Sequence, residues 1–243
     1  MISCSINFLV RVIIQSSRFA LNYKGLAYKT EWVEFPDIEP HSKKLGIKPT
    51  GKKSWDGSDY YSLPAIHDPS TGVYIADSVV IAKYLDMTYP DTPSLFPRNT
   101  HGLQIAFTDA FSSRITPVYA LIGPNVFPQI SVRCREHIRI SQEKAFGVKM
   151  EDIIPTGESA VQAWEKFKNS LQEIDGWFSK TDHTGPFIMG DVISWGDIIA
   201  GSYLIWMKLV YGEESQQWKE ISSWNGGRWG NLLQSLDKYT ARN

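Results

Sequence analysis

The sequence predicts two units in tandem, an α/β unit followed by an all-α unit. From Phe19 to about Thr88 the elements are short and alternate between helical and strand patterning. Pro90 to Thr100 then holds three prolines and no periodicity, the composition of a linker. Beyond it apolar residues recur at helical spacing, and strand signals are nearly absent. The expected boundaries are residues 1–92 for the first unit and 101–243 for the second.

Taken in order, Arg18 to Gly25 predicts a brief helix stopped by glycine. Ala27 to Phe35 alternates polar and apolar residues and ends at Pro36, so it predicts a strand. A short helix starts at Asp37 and ends at Gly46. Pro49 to Asp59 is rich in Gly, Lys, Ser and Asp and reads as a solvated loop. Leu63 to Ile66 and Val73 to Ile75 form a hairpin around the turn Asp68-Pro-Ser-Thr-Gly72. Asp77 and Ser78 then open a helix running to about Thr88. Helix, strand, helix, hairpin, helix is a thioredoxin-like order once a strand precedes Phe19, and Phe8 to Ile14 is the candidate for it. In the second unit, helices are expected over His101–Ile122 with a kink at Pro117, and over Ser159–Ser179, Ser194–Tyr211 and Arg228–Tyr239.

Composition narrows the function classes. A chain of 243 residues with 42% hydrophobic and 21% charged residues is able to bury a core. The formal net charge is -1 with no long basic run, which argues against nucleic acid, because phosphate binding needs clustered Lys and Arg. No apolar stretch approaches the roughly 20 residues that span a bilayer, so no membrane partner is expected. Cysteine occurs only at positions 4 and 134, which points to a reducing compartment, and a cytoplasmic location is expected. The five histidines show no ligand spacing, so no metal site is expected.

Three features carry chemistry. In Ser62-Leu63-Pro64-Ala65-Ile66 a proline precedes a strand; a cis bond there would expose the Leu63 backbone to an extended peptide, whereas a trans bond is an ordinary strand start. Asp77-Ser78 at a helix start suits an amino-acid headgroup, with the helix N-terminus and Ser78 for a carboxylate and Asp77 for an ammonium; it equally suits a plain N-cap. Ser194 and Asp197, flanked by Ile193 and Ile198, make a structural capping box.

Jointly these features resemble the glutathione transferase superfamily. Phe19–Ile38 and the terminal Trp224-Asn-Gly-Gly-Arg-Trp229 are similar to the fungal FuA class, which is related to bacterial β-etherases. The resemblance runs from about Arg18 to Tyr239. It implies glutathione bound as substrate in the first domain: Leu63 pairing with the tripeptide backbone, Pro64 cis, Asp77 and Ser78 at the γ-glutamyl end, and Lys53, among Lys44, Lys52 and Lys53, at the glycine carboxylate. It implies a hydrophobic or aromatic co-substrate between the domains, and a cytoplasmic homodimer with a detoxifying role toward xenobiotics. Phe107, Phe111, Ile115 and Tyr119 form one helical stripe, which is either core or ligand wall; Phe111 and Tyr119 are the candidate contacts.

Reactivity needs a thiolate, and a thiol pKa near 8.5 must fall by about two units to ionise at pH 7, about 2.7 kcal/mol. A helix N-terminus supplies roughly 0.3–1 and a donated hydrogen bond about 1.5–3 kcal/mol, so a hydroxyl largely decides catalysis. The serine-bearing loop of the resembled class is not recognisable in Arg11–Ser17; Ser16 and Ser17 are the substitutes. The departure leaves open whether residues 1–17 are the native start and whether thiol activation persists. The expected function is glutathione conjugation or glutathione-dependent ether cleavage; the alternatives are a non-catalytic ligand-binding protein and a scaffold built on the same fold.

Overall fold

The computed structural model describes residues 2–3, 15–180 and 185–240. The first domain begins with β1 (Ile2–Ser3), which pairs in parallel with β2 (Thr30–Glu31) across helix α1 (Gln15–Tyr23). The strand expected at Phe8–Ile14 lies outside the described residues; the parallel partner of β2 is Ile2–Ser3. Phe19, Ala20 and Leu21 bury the inner face of α1. The helix closes as foreseen: Gly25 takes φ 69° and lets the Leu26 N–H reach back to the Leu21 carbonyl at 2.9 Å. Of the strand expected over Ala27–Phe35, only β2 enters a ladder, while Val33 turns inward against Ile38, Ile47, Leu63 and Ala65.

A 3₁₀ turn, Phe35–Asp37, leads into α2 (Ile38–Lys44). Asp37 precedes this helix but its side chain makes no cap; both carboxylate oxygens accept hydrogen bonds from Arg133, each at 2.6 Å, joining the two domains. The stretch read as a loop holds a short antiparallel ladder, β3 (Gly51–Lys52) with β4 (Asp59–Tyr60). The turn-forming residues close that hairpin: the Asp56 carboxylate accepts the Ser58 N–H at 2.9 Å. β5 (Ala65–Asp68) and β6 (Val73–Ala76) form the expected hairpin, and α3 (Ser78–Thr88) follows. Asp68 pins its turn, accepting from Ser70 N–H at 2.9 Å, Ser70 Oγ and Tyr84 at 2.7 Å, and Tyr89 at 2.6 Å. Burial opposes ionisation of this carboxyl, but the hydrogen bonds outweigh it and hold the pKa well below the usual carboxylate range.

The second domain is helical: α4 (His101–Ile115), α5 (Val118–Val126), α6 (Val132–Phe146), α7 (Met150–Ile153), α8 (Gly157–Phe178), α9 (Trp195–Tyr211), α10 (Gln216–Ser235) and α11 (Asp237–Thr240). The kink expected at Pro117 is a full break between α4 and α5. The last expected helix begins earlier, at Gln216, and is interrupted over residues 224–227, where Asn225, Gly226 and Gly227 take positive φ. Trp195, Trp206, Trp229, Phe111 and Phe167 are fully buried. The core centres on α9, which packs against α1, α4, α5 and α10. Gly201 permits this closeness, since a Cβ there would meet Leu236 Cδ1 at 2.5 Å. Among the described residues no helix is long and apolar enough to cross a membrane.

Two buried carboxylates hold the junction. Asp86 at the end of α3 accepts from the Lys24 ammonium at 2.8 Å, from Ser94 Oγ at 2.8 Å and from the N–H groups of Leu95 and Phe96. The Lys24 side chain is fully buried and also donates to the Pro93 carbonyl at 3.2 Å. Asp197 accepts from the Ile188 N–H at 2.8 Å, the Ser194 N–H at 2.9 Å and Ser194 Oγ at 2.8 Å, completing the expected capping box of α9. Burial pushes its pKa up to about 6, against those hydrogen bonds.

Asp86→Ala strands a buried ammonium, a loss of about 3–5 kcal/mol; thermal unfolding should show the midpoint fall by roughly 10 °C. For Asp197 the folded pKa lies above the unfolded one, so the unfolded chain ionises first as pH rises. The stability conferred by this carboxyl therefore declines between about pH 4 and 6 and is flat above. Denaturant titrations should find Asp197→Ala destabilised, by about 2–4 kcal/mol near pH 4 and by less at pH 7.

Candidate functional site

A cleft of ≈ 280 Å³ opens between the domains. Its first wall is Ser16, Ser62, Leu63, Pro64, Asp77 and Ser78; its second is Thr108, Ser112, Tyr119, Ile199, Ser202 and Tyr203. The structure thus brings Ser16, Leu63, Pro64, Asp77, Ser78 and Tyr119 together, although they span 104 positions from Ser16 to Tyr119.

The Leu63–Pro64 peptide is cis. The chain crosses at the end of the β5–β6 hairpin, where the Asp77 N–H donates to the Pro64 carbonyl at 3.2 Å. The backbone N–H and C=O of Leu63 have no hydrogen-bond partner among the described residues. An unpaired backbone edge bordering a cleft is what an extended peptide pairs with.

Asp77 caps α3 from a strained backbone, φ 81° and ψ 125°. One carboxylate oxygen, Oδ1, accepts both the Val79 N–H at 2.9 Å and the Val80 N–H at 3.0 Å. The other oxygen accepts no hydrogen bond among the described residues, and the neighbouring Ser78 stands at the first turn of the helix, where anions are favoured. The two readings of Asp77-Ser78, cap and headgroup site, are therefore compatible in one geometry.

Ser16 and Ser17 both lie inside the first turn of α1, and neither is the residue that precedes it. They diverge: Ser16 faces the cleft, whereas Ser17 is wholly buried with its hydroxyl unpartnered among the described residues. Phe111 does not line the cleft. It is 2% exposed and packs behind Tyr203, ring centroids 5.5 Å apart, so of the expected aromatic stripe it belongs to the core. Tyr119 does face the cleft, at 47% exposure.

Lys53 lies elsewhere. It borders a separate groove of ≈ 720 Å³ between α2, the β3–β4 hairpin and α6, with Trp55, Tyr61 and His137. Its ammonium is 3.1 Å from Glu39, which also pairs with Lys43 at 2.7 Å. These lysines are neutralised within the groove and are not brought to the Leu63 edge. Burial, with Lys53 and Arg133 nearby, lowers the His137 pKa. Cys4 lies outside the described residues, and Cys134 is fully buried. Among the described residues no group of His, Cys, Asp or Glu side chains is arranged to hold a metal ion.

Sequence reasoning missed Tyr203. It comes from α9, 84 residues from Tyr119, and the two hydroxyls lie 2.8 Å apart. No local signal could have paired them.

A thioredoxin-like half with a cis proline facing a capped helix, joined to an all-helical half, is the architecture of glutathione transferases. The models of that family match both parts: the glutathione S-transferase N-terminal domain over residues 15–88 and the C-terminal domain over residues 102–239. The chain belongs to the glutathione S-transferase family. It is similar to a glutathione S-transferase of Ceriporiopsis subvermispora solved in complex with glutathione, with 38% identity, TM-score 0.91 and coverage of 99% of this chain and 97% of the other. GSTFuA2 from Phanerochaete chrysosporium shows 37% identity and TM-score 0.87 over 96% of this chain and 92% of its own. Among curated proteins, the glutathione S-transferase-like protein ustS of Aspergillus flavus is 27% identical over 221 residues, 86% of this chain and 77% of that one.

Asp77 caps α3 from a backbone of positive φ, and substitutions separate the cap from the strain. Asp77→Gly loses the cap but relieves the positive φ, and should cost only a few tenths of a kcal/mol. Asp77→Ala loses the cap and keeps the strain, and should cost about 2 kcal/mol. Urea unfolding of both variants checks the order.

Proposed function

We propose that this protein binds glutathione in the interdomain cleft and transfers it to aromatic compounds. The observation that carries the reading is the convergence, in one cleft, of the unpaired Leu63 backbone, the free oxygen of Asp77, Ser78 and the Ser16 hydroxyl opposite an aromatic wall. In this reading the cysteinyl part of glutathione pairs with Leu63, and Asp77 and Ser78 hold the α-amino and α-carboxylate groups of the γ-glutamyl end. The sulfur then faces the start of α1. Ser16 donates to the thiolate from the first turn of that helix, where the helix dipole adds to its effect. A hydroxyl and a helix end together match the roughly 2.7 kcal/mol that ionisation at pH 7 requires. The thiolate attacks an electrophilic carbon, the C–S bond forms, and the leaving group departs with its electron pair, as chloride from an aryl chloride or phenolate from an aryl ether.

Retention on glutathione-agarose tests the binding half, and conjugation of 1-chloro-2,4-dinitrobenzene tests the transfer. The expected outcome is retention with turnover, and Ser16→Ala lowering kcat/KM roughly 10- to 100-fold at unchanged glutathione affinity. Retention without conjugation would instead make the protein a ligand carrier, and no retention would overturn the reading.

A further inference from the structure

The second wall of the cleft is lined with hydroxyls; Ser112 Oγ makes no hydrogen bond among the described residues and stays a separate donor, while the others fall into two groups. Thr108 Oγ1 donates to the Gln104 carbonyl at 2.8 Å and Ser202 Oγ to the Ile198 carbonyl at 2.6 Å, so both protons are returned to their own helices. On the first wall, Ser62 is engaged with Thr50 at 2.9 Å. Tyr119 and Tyr203 differ. Among the described residues their hydroxyls bond only to each other, at 2.8 Å, and the pair lines the cleft. Two phenols carry two hydroxyl protons, and one is consumed in the mutual bond. One proton therefore remains, directed away from the pair, on an O–H polarised by the bond its neighbour makes.

The rings fix where the two hydroxyl oxygens sit. Tyr119 is braced on buried Trp206 at 5.4 Å between centroids, and Tyr203 stands against Phe111 at 5.5 Å. Neither ring is free to swing into solvent without losing aromatic contact. Desolvation at this junction, with Tyr203 beside it, raises the Tyr119 pKa, so its phenol stays protonated throughout the physiological range.

We infer that the Tyr119–Tyr203 pair is the specificity-determining element of the cleft, donating a single hydrogen bond to an acceptor oxygen, carbonyl or ether, on the aromatic co-substrate. The inference rests on the reading that the cleft takes glutathione and an aromatic partner, and it adds which aromatics are preferred: those with an oxygen near the ring rather than plain hydrocarbons.

The counting makes an unusual demand on variants. Removing either hydroxyl frees the other, so Tyr119→Phe and Tyr203→Phe each still present one donor. Only the double variant presents none from the pair, while Ser112 is the same in all the variants and in the wild type. The test uses glutathione-saturated protein and two probes of matched shape, propiophenone and propylbenzene, with affinities read from tryptophan fluorescence. The ratio of the two dissociation constants cancels the hydrophobic contribution common to both probes. In the double variant this ratio should shift about five- to tenfold against the ketone, the size of one neutral hydrogen bond. In each single variant it should stay within about twofold of the wild type. An unchanged ratio in the double variant overturns the proposal, as does a full shift in either single variant, which would assign the bond to one tyrosine alone. Retention on glutathione-agarose, measured on the same proteins, keeps the two readings apart: retained protein with an unchanged ratio sinks the tyrosine assignment only, while loss of retention in the wild type sinks the glutathione site beneath it.

Discussion

The structure depends on the charge pair between Lys24 and Asp86. It is a costly choice, since both ions are withdrawn from water and need further hydrogen bonds to be tolerated. Those bonds come from the interdomain linker: the N–H groups of Leu95 and Phe96 and the hydroxyl of Ser94 to Asp86, and the Pro93 carbonyl to Lys24. The linker is thereby fixed to the ends of α1 and α3. From there the Leu95 carbonyl accepts the N–H of Trp195 at 2.7 Å, the first residue of α9. One continuous relay thus runs from α1, which carries Ser16, to α9, which carries Tyr203. The two walls of the cleft are placed relative to each other by polar contacts at its base, and the apolar packing of α9 on α1 stiffens the arrangement.

How much of this was legible in the sequence depended on how local each signal is. The Asp77 cap, the Ser194–Asp197 box and the Gly25 stop are written within a few residues, and each stands where expected. Helix α6 was not legible, because only Cys134 on it is buried and its other large apolar residues, Val132, Ile138, Ile140 and Phe146, make no continuous helical stripe among its charged residues. The β3–β4 hairpin read as a loop for the opposite reason: its ladder is two residues deep and its composition is almost all turn chemistry. The tail helix was obscured by the break over residues 224–227, where Trp229 Nε1 instead donates to the Asn225 side chain at 2.8 Å.

The site divided along the same line. The residues of the first wall follow motifs and were named from them. In the second wall the helical stripe was visible but its phase was not: Phe111 points into the core, while Tyr119 lies past the break at Pro117, on a new helix whose facing is set by α9. Lys53 was a choice by charge, and charge alone carries no direction; its nearest acid, Glu39, claims it. Tyr203 follows from long-range packing and was beyond any local reading.

On the proposed function, Asp77 brings architecture and recognition into one side chain. One of its oxygens caps the start of α3, and the residue lines the cleft, while its backbone is held in a conformation more natural to glycine. Sequence drift at this position therefore meets two filters at once. A replacement that frames the helix without a second acceptor blunts the pocket, and one that carries charge at the wrong length loosens the helix on which the pocket is built. A lineage abandoning the ancestral ligand would be released from one filter yet still be held by the other, so the acid can outlast the chemistry it once served.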